Sequence, residues 1–150
     1  IVIGGPKRFH SVVSGLVNIP ENSLVLIHDA ARPFVSKETI DRVINIAEQK
    51  GNATPYMEIN DSLREIYGAE NKVIDRSQIV SIQTPQGFNS SIIKSAYNQT
   101  YQELFTDDAS VLESTGIKIN MVSGNTENIK ITTPSDFIVA KGLLEYINNH

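Results

Sequence analysis

The chain has 150 residues, of which 40 % are hydrophobic and 20 % charged, and its formal net charge at pH 7 is −4. This length and composition are typical of one globular domain, and the acidic balance argues against wholesale binding to nucleic acid or to an anionic membrane surface. The absence of cysteine excludes disulfides and thiol chemistry, and no apolar segment is long enough to span a bilayer.

The chain opens with a predicted strand over residues 1–3 and a predicted helix over residues 8–17, joined by a glycine turn. Because nothing precedes the strand, we expect the chain to begin in the middle of a fold. Gly4 and Gly5 permit backbone conformations that are closed to other residues. A glycine turn ahead of a helix can hold an anion or a sugar on its amides, with Ser11 adding a hydroxyl. A tight turn without a ligand is the alternative interpretation.

The most informative stretch is residues 24–34, which read LVLIHDAARPF. Its four leading apolar residues are typical of a strand buried on both faces of a parallel sheet. Asp29 follows the end of this strand, where open α/β sheets bind ligands, and a carboxylate there can hold a divalent cation. Arg32 offers a fork of donors suited to phosphate. The alternative is that Asp29 only caps the turn. We interpret His28 as a hydrogen-bonded core residue and not as a general base.

The rest of the chain continues to alternate between helices and strands. Predicted helices lie over residues 37–50, 90–104, 107–114 and 134–148, and predicted strands over residues 53–59, 117–121 and 128–132. Residues 84–88 read as a breaker-rich turn, and Thr106 is an expected N-cap. Asp107 and Asp108 could hold a metal, but acidic residues at the positive end of a helix are the favoured interpretation. The alternation predicts an α/β fold with a mostly parallel sheet.

Residues 60–83 depart from this pattern because they are rich in polar side chains. Two short β-prone runs, at 63–67 and 73–74, flank a turn that contains Gly68, which predicts a β-hairpin. The low apolar content indicates that this hairpin projects from the core. An isolated hairpin is marginally stable in water, so we expect this arm, residues 60–83, to lean on a partner.

Five segments together resemble one protein family. They are GGPKRFHSVVSGL, HDAARPF, TPQGF, TDDASVLE and NIKITTPSD, and their order and separation are similar to those of the 2-C-methyl-D-erythritol 4-phosphate cytidylyltransferases of non-mevalonate isoprenoid synthesis. The resemblance implies a Rossmann-like nucleotidyltransferase fold, with helices on both faces of the sheet, in a single domain over residues 1–150. It also implies a cytoplasmic enzyme that transfers a cytidylyl group from CTP to a sugar-alcohol phosphate, 2-C-methyl-D-erythritol 4-phosphate. The products are 4-diphosphocytidyl-2-C-methyl-D-erythritol and pyrophosphate, and Mg²⁺ is the cofactor.

The resemblance also implies roles for individual residues. It gives nucleotide-binding roles to Gly5, Ser11 and Ala30, a metal-binding role to Asp29, catalytic roles to Arg32, Thr106 and Lys130, and a phosphate-binding role to Thr84. These assignments agree with the chemistry. Attack of one phosphate on another brings two anions together, so the catalyst must neutralise charge and align the reactants, and it needs no covalent nucleophile.

In the family, the segment that corresponds to the arm crosses a dimer interface. The resemblance therefore implies a homodimer in which Ser62 and Arg76 reach the substrate of the partner subunit. One departure is that the family begins with a strand and a Gly-rich loop whose arginine and lysine grip the triphosphate, and this chain contains neither. We therefore expect the chain to represent the family from mid-protein onward, and expect it alone not to turn over CTP.

Two alternatives remain open at the level of sequence. A ribitol 5-phosphate cytidylyltransferase would share the fold and several motifs, with only the alcohol changed, although TDDASVLE and RSQIVSIQTPQGF favour the methylerythritol branch. A non-catalytic module that dimerises through the arm is the alternative from a different class.

Overall fold

A five-stranded sheet carries helices on both faces in the computed structural model, which describes residues 1–149. The helices are α1 (Arg8–Leu16), α2 (Lys37–Lys50), α3 (Ser90–Tyr97), α4 (Asp108–Glu113) and α5 (Pro134–Asn149). The strands are β1 (Leu24–Ile27), β2 (Asn52–Glu58), β3 (Leu63–Tyr67), β4 (Glu70–Ile74), β5 (Val80–Ile82), β6 (Gln86–Asn89) and β7 (Met121–Ser123). The predicted α/β class is confirmed.

The strand pairing differs from the mostly parallel sheet that the alternation predicted. Among the pairs of this sheet in residues 1–149, β2·β7 is parallel, whereas β1·β6, β2·β6 and β2·β5 are antiparallel. The reason lies in the arm. The chain leaves β2 through a hairpin and returns directly alongside the same strand, and a direct return of this kind gives an antiparallel pair.

The returning chain is interrupted where it passes the end of β1. β6 pairs with residues 52–53 of β2 and β5 with residues 56–58, so residues 83–86 face only residues 54–55. The excess residues form a bulge in the antiparallel ladder. The bulge places the hydroxyl of Thr84 against the backbone just beyond β1, where the amide of Asp29 donates to it at 3.0 Å. The turn predicted over residues 84–88 is therefore shorter, because β6 begins at Gln86.

The core consists of two apolar clusters on opposite faces of the sheet. Val25 and Ile27 of β1 pack with α1, α3 and α4, whereas Leu24 and Leu26 pack with α2. Two consecutive residues of β6 show this separation. Phe88 belongs to the first cluster, and its neighbour Gly87 lies against α2 on the opposite face. The run LVLI therefore packs on both faces, as predicted, although its pairing partner runs antiparallel.

The main differences between predicted and observed helix ends are at α4 and α3. Asp107, and not Thr106, caps α4, and its carboxylate accepts from the amide of Ser110 at 2.8 Å. α3 ends at Tyr97 and does not continue to residue 104. The side-chain amide of Gln99 donates to Ala96 O at 2.6 Å, which satisfies a carbonyl that one more helical turn would have used.

Three predicted strands do not form as expected. Residues 1–3 pair with no strand in the part of the chain that the structure describes, and their side chains are exposed. The strand predicted over residues 117–121 begins only at Met121, as β7. Before it, the buried side chain of Asn52 bonds to Lys118 O and to the amide of Asn120. Residues 128–132 form a loop because their contacts go to side chains and to the turn after β1.

The arm is a separate two-stranded sheet, as predicted. β3 pairs with β4 from Leu63↔Ile74 to Tyr67↔Glu70, with Gly68 at φ 58° in the turn. Ile66 and Val73 are 75 % and 71 % exposed. The arm thus carries apolar side chains that its own fold does not cover.

Within residues 1–149, no helix is both long enough and apolar enough to cross a bilayer.

Gly87 gives a test of the packing between the sheet and α2. A Cβ at Gly87 would lie 2.7 Å from Val43 Cγ1 and 3.2 Å from Ala47 Cβ. We expect Gly87→Ala to lower the free energy of unfolding by about 1–3 kcal/mol through overpacking, as measured by urea denaturation. Gly15→Ala is the matched control: its Cβ would meet nothing within 4 Å, and a helical alanine should stabilise by about 0.5–1 kcal/mol. Equal effects of the two substitutions would contradict this packing.

Candidate functional site

One carboxylate beyond the end of β1 is surrounded by three cationic side chains. Asp29 Oδ2 lies 3.0 Å from Lys130 Nζ and 3.6 Å from Arg32 Nε, and Asp29 Oδ1 accepts from Arg8 Nε at 3.4 Å. We call these four residues the Asp29 cluster. The side chain of Asp29 is 15 % exposed and that of Lys130 is 47 % exposed. The cluster is therefore open to a charged ligand on the side of Lys130.

The electrostatics of the cluster keep Asp29 ionised. Partial burial by itself would raise the pKa of Asp29. The hydrogen bond from Lys130 and the positive charges of Lys130, Arg8 and Arg32 outweigh burial, so the pKa of Asp29 lies below its usual value. An ionised carboxylate at neutral pH is what a metal ligand or a partner for cations requires.

The backbone around Asp29 is held by Thr84 and His28. Thr84 Oγ1 accepts from the amide of Asp29 and lies 2.9 Å from His28 Nδ1, while His28 Nε2 lies 2.9 Å from Arg32 O. Because a carbonyl only accepts, Nε2 carries a proton, and in the neutral ring the hydroxyl of Thr84 then donates to Nδ1. His28 is hydrogen-bonded, as predicted, but it is exposed and not part of the core. Both ring nitrogens have structural partners, which leaves His28 no free nitrogen to act as a base.

The backbone around Lys130 is fixed by hydrogen bonds on both sides of this residue in the chain. Asn128 is fully buried and donates from Nδ2 to Thr84 O at 2.8 Å. On the other side, the amide of Ile131 donates to Ala31 O at 2.8 Å. The backbone of the loop is therefore fixed, while the exposed ammonium group at the end of the Lys130 side chain can change partners.

Arg32 is fixed more tightly than Lys130. Its Nη1 donates to Asn128 O at 2.8 Å and its Nη2 to Ile82 O at 3.4 Å, and its side chain is 13 % exposed. Its Nε is buried and has no hydrogen-bond partner among the described residues. Arg32 therefore supplies a stationary positive charge with one unused donor near Asp29.

Two cavities meet at the Asp29 cluster. The walls of the smaller, of about 230 Å³, include Arg8, Asp29, Arg32, Thr84, Thr106 and Lys130. The walls of the larger, of about 520 Å³, include Ser11, Val12, Gly15, Asp29, Ala30 and Lys130. The structure thus brings together the predicted metal-binding and catalytic residues and Thr84 in one cavity, and Ser11 and Ala30 in the next, with Arg8, Asp29 and Lys130 in both walls.

Gly5 lies beside the larger cavity, in contact with Ser11. Its amide donates to Ser11 Oγ at 3.0 Å, and a Cβ at this position would lie 2.3 Å from His10 Cβ. The close approach explains why glycine is needed here. The amide that could bind a ligand is therefore already paired with the hydroxyl of Ser11.

The predicted arm residues lie outside this assembly. Ser62 and Arg76 are exposed, and in the described part of the chain neither lines the two cavities at Asp29. Arg76 Nη1 instead donates to Asn60 O at the base of the arm. A role for these residues at a site therefore requires the site of another subunit.

Sequence reasoning missed Arg8 and its partner. Arg8 Nη1 donates to Asp108 Oδ1 at 2.9 Å and Nη2 to Asp108 Oδ2 at 2.5 Å, and the Asp108 side chain is completely buried. The only signal was that Asp108 follows the N-cap, Asp107, as a second acid that capping does not require. Nothing in the sequence connects that acid to an arginine 100 residues away.

The donor set at Asp29 limits the kind of metal site it can form. Within residues 1–149, no group of three or more His, Asp or Glu side chains is arranged to hold a metal ion. Mg²⁺ is often bound through one or two carboxylates together with substrate phosphates and waters. The ionised, partly exposed Asp29 fits such an ion if a nucleotide supplies most of the oxygens, and it does not fit a metal held by the protein alone.

Comparison with known sequences identifies similar proteins. Residues 1–146 match the family model for 2-C-methyl-D-erythritol 4-phosphate cytidylyltransferase. A protein of that name from Porphyromonas gingivalis is 47 % identical over 145 residues, which cover 96 % of this chain and 65 % of the relative. Another from Bacteroides thetaiotaomicron is 42 % identical over 94 % of this chain and 64 % of the relative. The chain thus spans slightly less than two thirds of the length of these relatives.

Solved structures of the same family share the fold. The crystal structure of 2-C-methyl-D-erythritol 4-phosphate cytidylyltransferase from Thermus thermophilus matches with a TM-score of 0.84 at 32 % identity, over 95 % of this chain and 71 % of that chain. The 4-diphosphocytidyl-2C-methyl-D-erythritol synthase of Anaerococcus prevotii also gives a TM-score of 0.84, at 31 % identity over 95 % and 66 % of the two chains. The expected Rossmann-like nucleotidyltransferase fold is confirmed.

The Asp29 cluster predicts a specific response of one pKa. Lys130→Met should raise the pKa of Asp29, because it removes the hydrogen bond and the charge that oppose burial most strongly. A carboxylate whose pKa is lower in the folded than in the unfolded protein stabilises the fold at pH values above the unfolded-state pKa. This stabilisation is lost as the pH falls through the folded-state pKa, so the variant should also lose less stability on acidification. Carboxyl ¹³C NMR titration measures the pKa.

Lys37→Met is the control for this titration. Lys37 makes an exposed ion pair with Asp41 at 2.5 Å, so its removal should leave the pKa of Asp29 unchanged. An Asp29 pKa that does not respond to Lys130→Met would show that Lys130 is not the main partner of Asp29.

Proposed function

The chain belongs to the 2-C-methyl-D-erythritol 4-phosphate cytidylyltransferase family, and on that basis we propose its reaction. It transfers a cytidylyl group from CTP to 2-C-methyl-D-erythritol 4-phosphate and releases pyrophosphate. The products are 4-diphosphocytidyl-2-C-methyl-D-erythritol and pyrophosphate, which belong to non-mevalonate isoprenoid synthesis. CTP is an intracellular nucleotide, so we assign the reaction to the cytoplasm. Residues 1–150 contribute to it as one domain.

The observation that carries this proposal is the Asp29 cluster between two cavities. A fixed guanidinium, Arg32, and a movable ammonium, Lys130, share one carboxylate at the carboxyl end of β1. That edge is where open α/β sheets bind nucleotides. A fixed cation beside a carboxylate, together with a second cation that can move from the carboxylate to phosphates, suits a reaction between two anions.

The proposed chemistry is one displacement at phosphorus. A phosphate oxygen of methylerythritol phosphate attacks the α-phosphorus of CTP, a new P–O bond forms, and the bond to the β-phosphate oxygen breaks as pyrophosphate leaves. The attacking phosphate is already ionised at pH 7, because its second pKa is about 6, so no general base is needed. Arg32 and Lys130 stabilise the charge that accumulates on the phosphates, and Thr106 offers a hydroxyl at the cavity wall. Thr84 lines the same wall, but its hydroxyl is bonded to Asp29 and His28 and acts by holding the site together.

We assign Mg²⁺ to Asp29 within this proposal. A bound Mg²⁺ would neutralise phosphate charge and align the nucleotide for displacement. Asp29 would then exchange its contact with Lys130 for the metal ion and leave this ammonium group to the phosphates, while Arg32 would stay in place beside them. On the nucleotide side, Ser11 and Ala30 line the larger cavity and are assigned to the ribose, with Gly5 assigned to the cytosine.

The proposed assembly is a homodimer through the arm. Ile66 and Val73 on the arm are exposed, and Ser62 and Arg76 lie outside the walls of the site cavities of their own chain within residues 1–149. An arm that crosses to a second subunit would cover the apolar side chains and give Arg76 a phosphate to bind as a bidentate donor. Each site would then use Ser62 and Arg76 of its neighbour.

The methylerythritol substrate is favoured over the two alternatives. The curated relatives reported above carry the methylerythritol name. A purely structural module would not need three cations around a carboxylate on a cavity wall.

Replacing Asp29 tests the proposed chemistry. In the natural full-length protein, Asp29→Asn should lower turnover by about 100-fold or more, because a neutral amide binds a divalent metal ion more weakly than a carboxylate does. Far-UV circular dichroism should be unchanged. The matched control Asp41→Asn removes an exposed carboxylate paired with Lys37 and should keep wild-type turnover. Wild-type turnover of Asp29→Asn in a pyrophosphate-release assay with CTP, Mg²⁺ and methylerythritol phosphate would refute the assignment.

Mixed dimers test the sharing of the arm. A purified dimer that combines one Arg76→Ala subunit with one Asp29→Asn subunit should have about half the wild-type activity, since an isologous dimer places both defects in one site and leaves the other intact. If Arg76 acts within its own chain, both sites are damaged and activity is not recovered. Arg64→Ala, on the same arm and paired with Asn71, is the control and should leave homodimer activity unchanged.

A further inference from the structure

Arg8 connects the start of α1 to a buried carboxylate on α4. Both of its terminal nitrogens donate to Asp108, and Tyr97 Oη donates to Asp108 Oδ1 at 2.6 Å. Burial and the neighbouring carboxylate raise the pKa of Tyr97, so its hydroxyl remains a donor. Three elements, α1, α3 and α4, thus hold one guanidinium in a fixed orientation.

The remaining donor of Arg8 faces the candidate site. Its Nε lies 3.4 Å from Asp29 Oδ1, whereas Lys130 and Arg32 contact the other oxygen, Oδ2. The two oxygens of Asp29 therefore have different partners. Oδ1 has a partner that is fixed by Asp108, and Oδ2 has a partner, Lys130, whose side chain is half exposed.

We propose that Arg8 is a positioning residue, which orients the Asp29 carboxylate by holding Oδ1 and thereby directs Oδ2 into the cavity. The inference deepens the proposed function and rests on it. The fork from its terminal nitrogens to Asp108 holds the guanidinium of Arg8 in place at the wall of both cavities. It acts on the reaction only through Asp29.

The alternative is that Arg8 only neutralises the charge of Asp108. An unpaired buried carboxylate is strongly destabilising, so Arg8 alone cannot be removed without a loss of stability under either interpretation. Removing the charges of both Arg8 and Asp108 distinguishes the positioning role from charge neutralisation, because a buried ion pair can be replaced by neutral groups with little loss of stability. Such a variant loses the contact with Asp29, but it no longer has a buried charge at position 108 that must be neutralised.

The deciding variant is Arg8→Met/Asp108→Asn in the natural full-length protein. The amide at 108 keeps an acceptor for the Tyr97 hydroxyl, and Asp29, Arg32 and Lys130 stay in place. We expect an unfolding midpoint close to that of the wild type and a kcat lowered by about tenfold or more, because a misaligned carboxylate disturbs reactant alignment. The KM for CTP should change by less than about threefold, since the phosphate-binding cations remain. The rise in unfolding midpoint that Mg²⁺ adds in the presence of CTP should be largely lost.

Tyr97→Phe is the matched control. It removes one hydrogen bond to Asp108 but leaves the fork from Arg8 intact, so kcat should stay within about twofold of the wild type. A double variant with wild-type kcat would overturn the proposal. If the double variant does not fold, Arg8→Lys decides instead, because lysine keeps the charge but not the fork: a kcat lowered about tenfold supports positioning, and a wild-type kcat overturns it.

Failure of the proposed function itself gives a different result. A wild-type protein that forms no product from CTP and methylerythritol phosphate contradicts the reaction, whichever residue orients Asp29. In that case the rise in unfolding midpoint caused by Mg²⁺ tests the role of Arg8. Loss of this rise in the double variant supports the positioning role, and retention of the rise overturns the proposal.

Discussion

The functional part of this structure depends on one partly buried carboxylate that is kept ionised by its neighbours. Asp29 is placed by the end of β1 and by the hydroxyl of Thr84, and its charge is balanced by cations from three separate segments. Burial opposes the charge, and the surrounding cations reverse the effect, so the pKa of Asp29 is lowered. Without those cations the carboxylate would be harder to keep ionised at the edge of an apolar core.

The three cationic side chains around Asp29 differ in how freely they can move. Arg8 is fixed by Asp108, and Arg32 is fixed by backbone carbonyls, including that of Asn128. Lys130 is the most exposed of the three, although the loop around it is anchored. A ligand that brings negative charge can therefore draw Lys130 from Asp29 without disturbing the fold, since the other two cations still balance the carboxylate.

The same region of the sheet explains the position of the arm. The chain runs out from β2 into the arm and returns as an interrupted antiparallel strand, and the interruption at residues 83–86 brings Thr84 to Asp29. The arm and the site are thus consecutive parts of one excursion of the chain.

The sequence by itself determined the local features. The apolar run before Asp29, the bounds of α2, the projecting hairpin and the segments that resemble the family were all readable, because each depends on residues close together in the chain. The position of Asp29 at a strand end was readable for the same reason. The resemblance implied a catalytic role for Lys130, but its contact with Asp29 joins distant segments of the chain and comes from the structure.

The tertiary structure alone decided the strand pairing and the network behind Asp29. Whether β6 runs parallel or antiparallel depends on how the arm returns the chain to β2, and no local pattern records that path. The strand predicted over residues 128–132 became a loop because Asn128 found buried partners near Thr84. The ion pair between Arg8 and Asp108 joins distant segments, so it leaves no periodic pattern in the sequence. The pairing becomes necessary only in the folded protein, where Asp108 is completely buried.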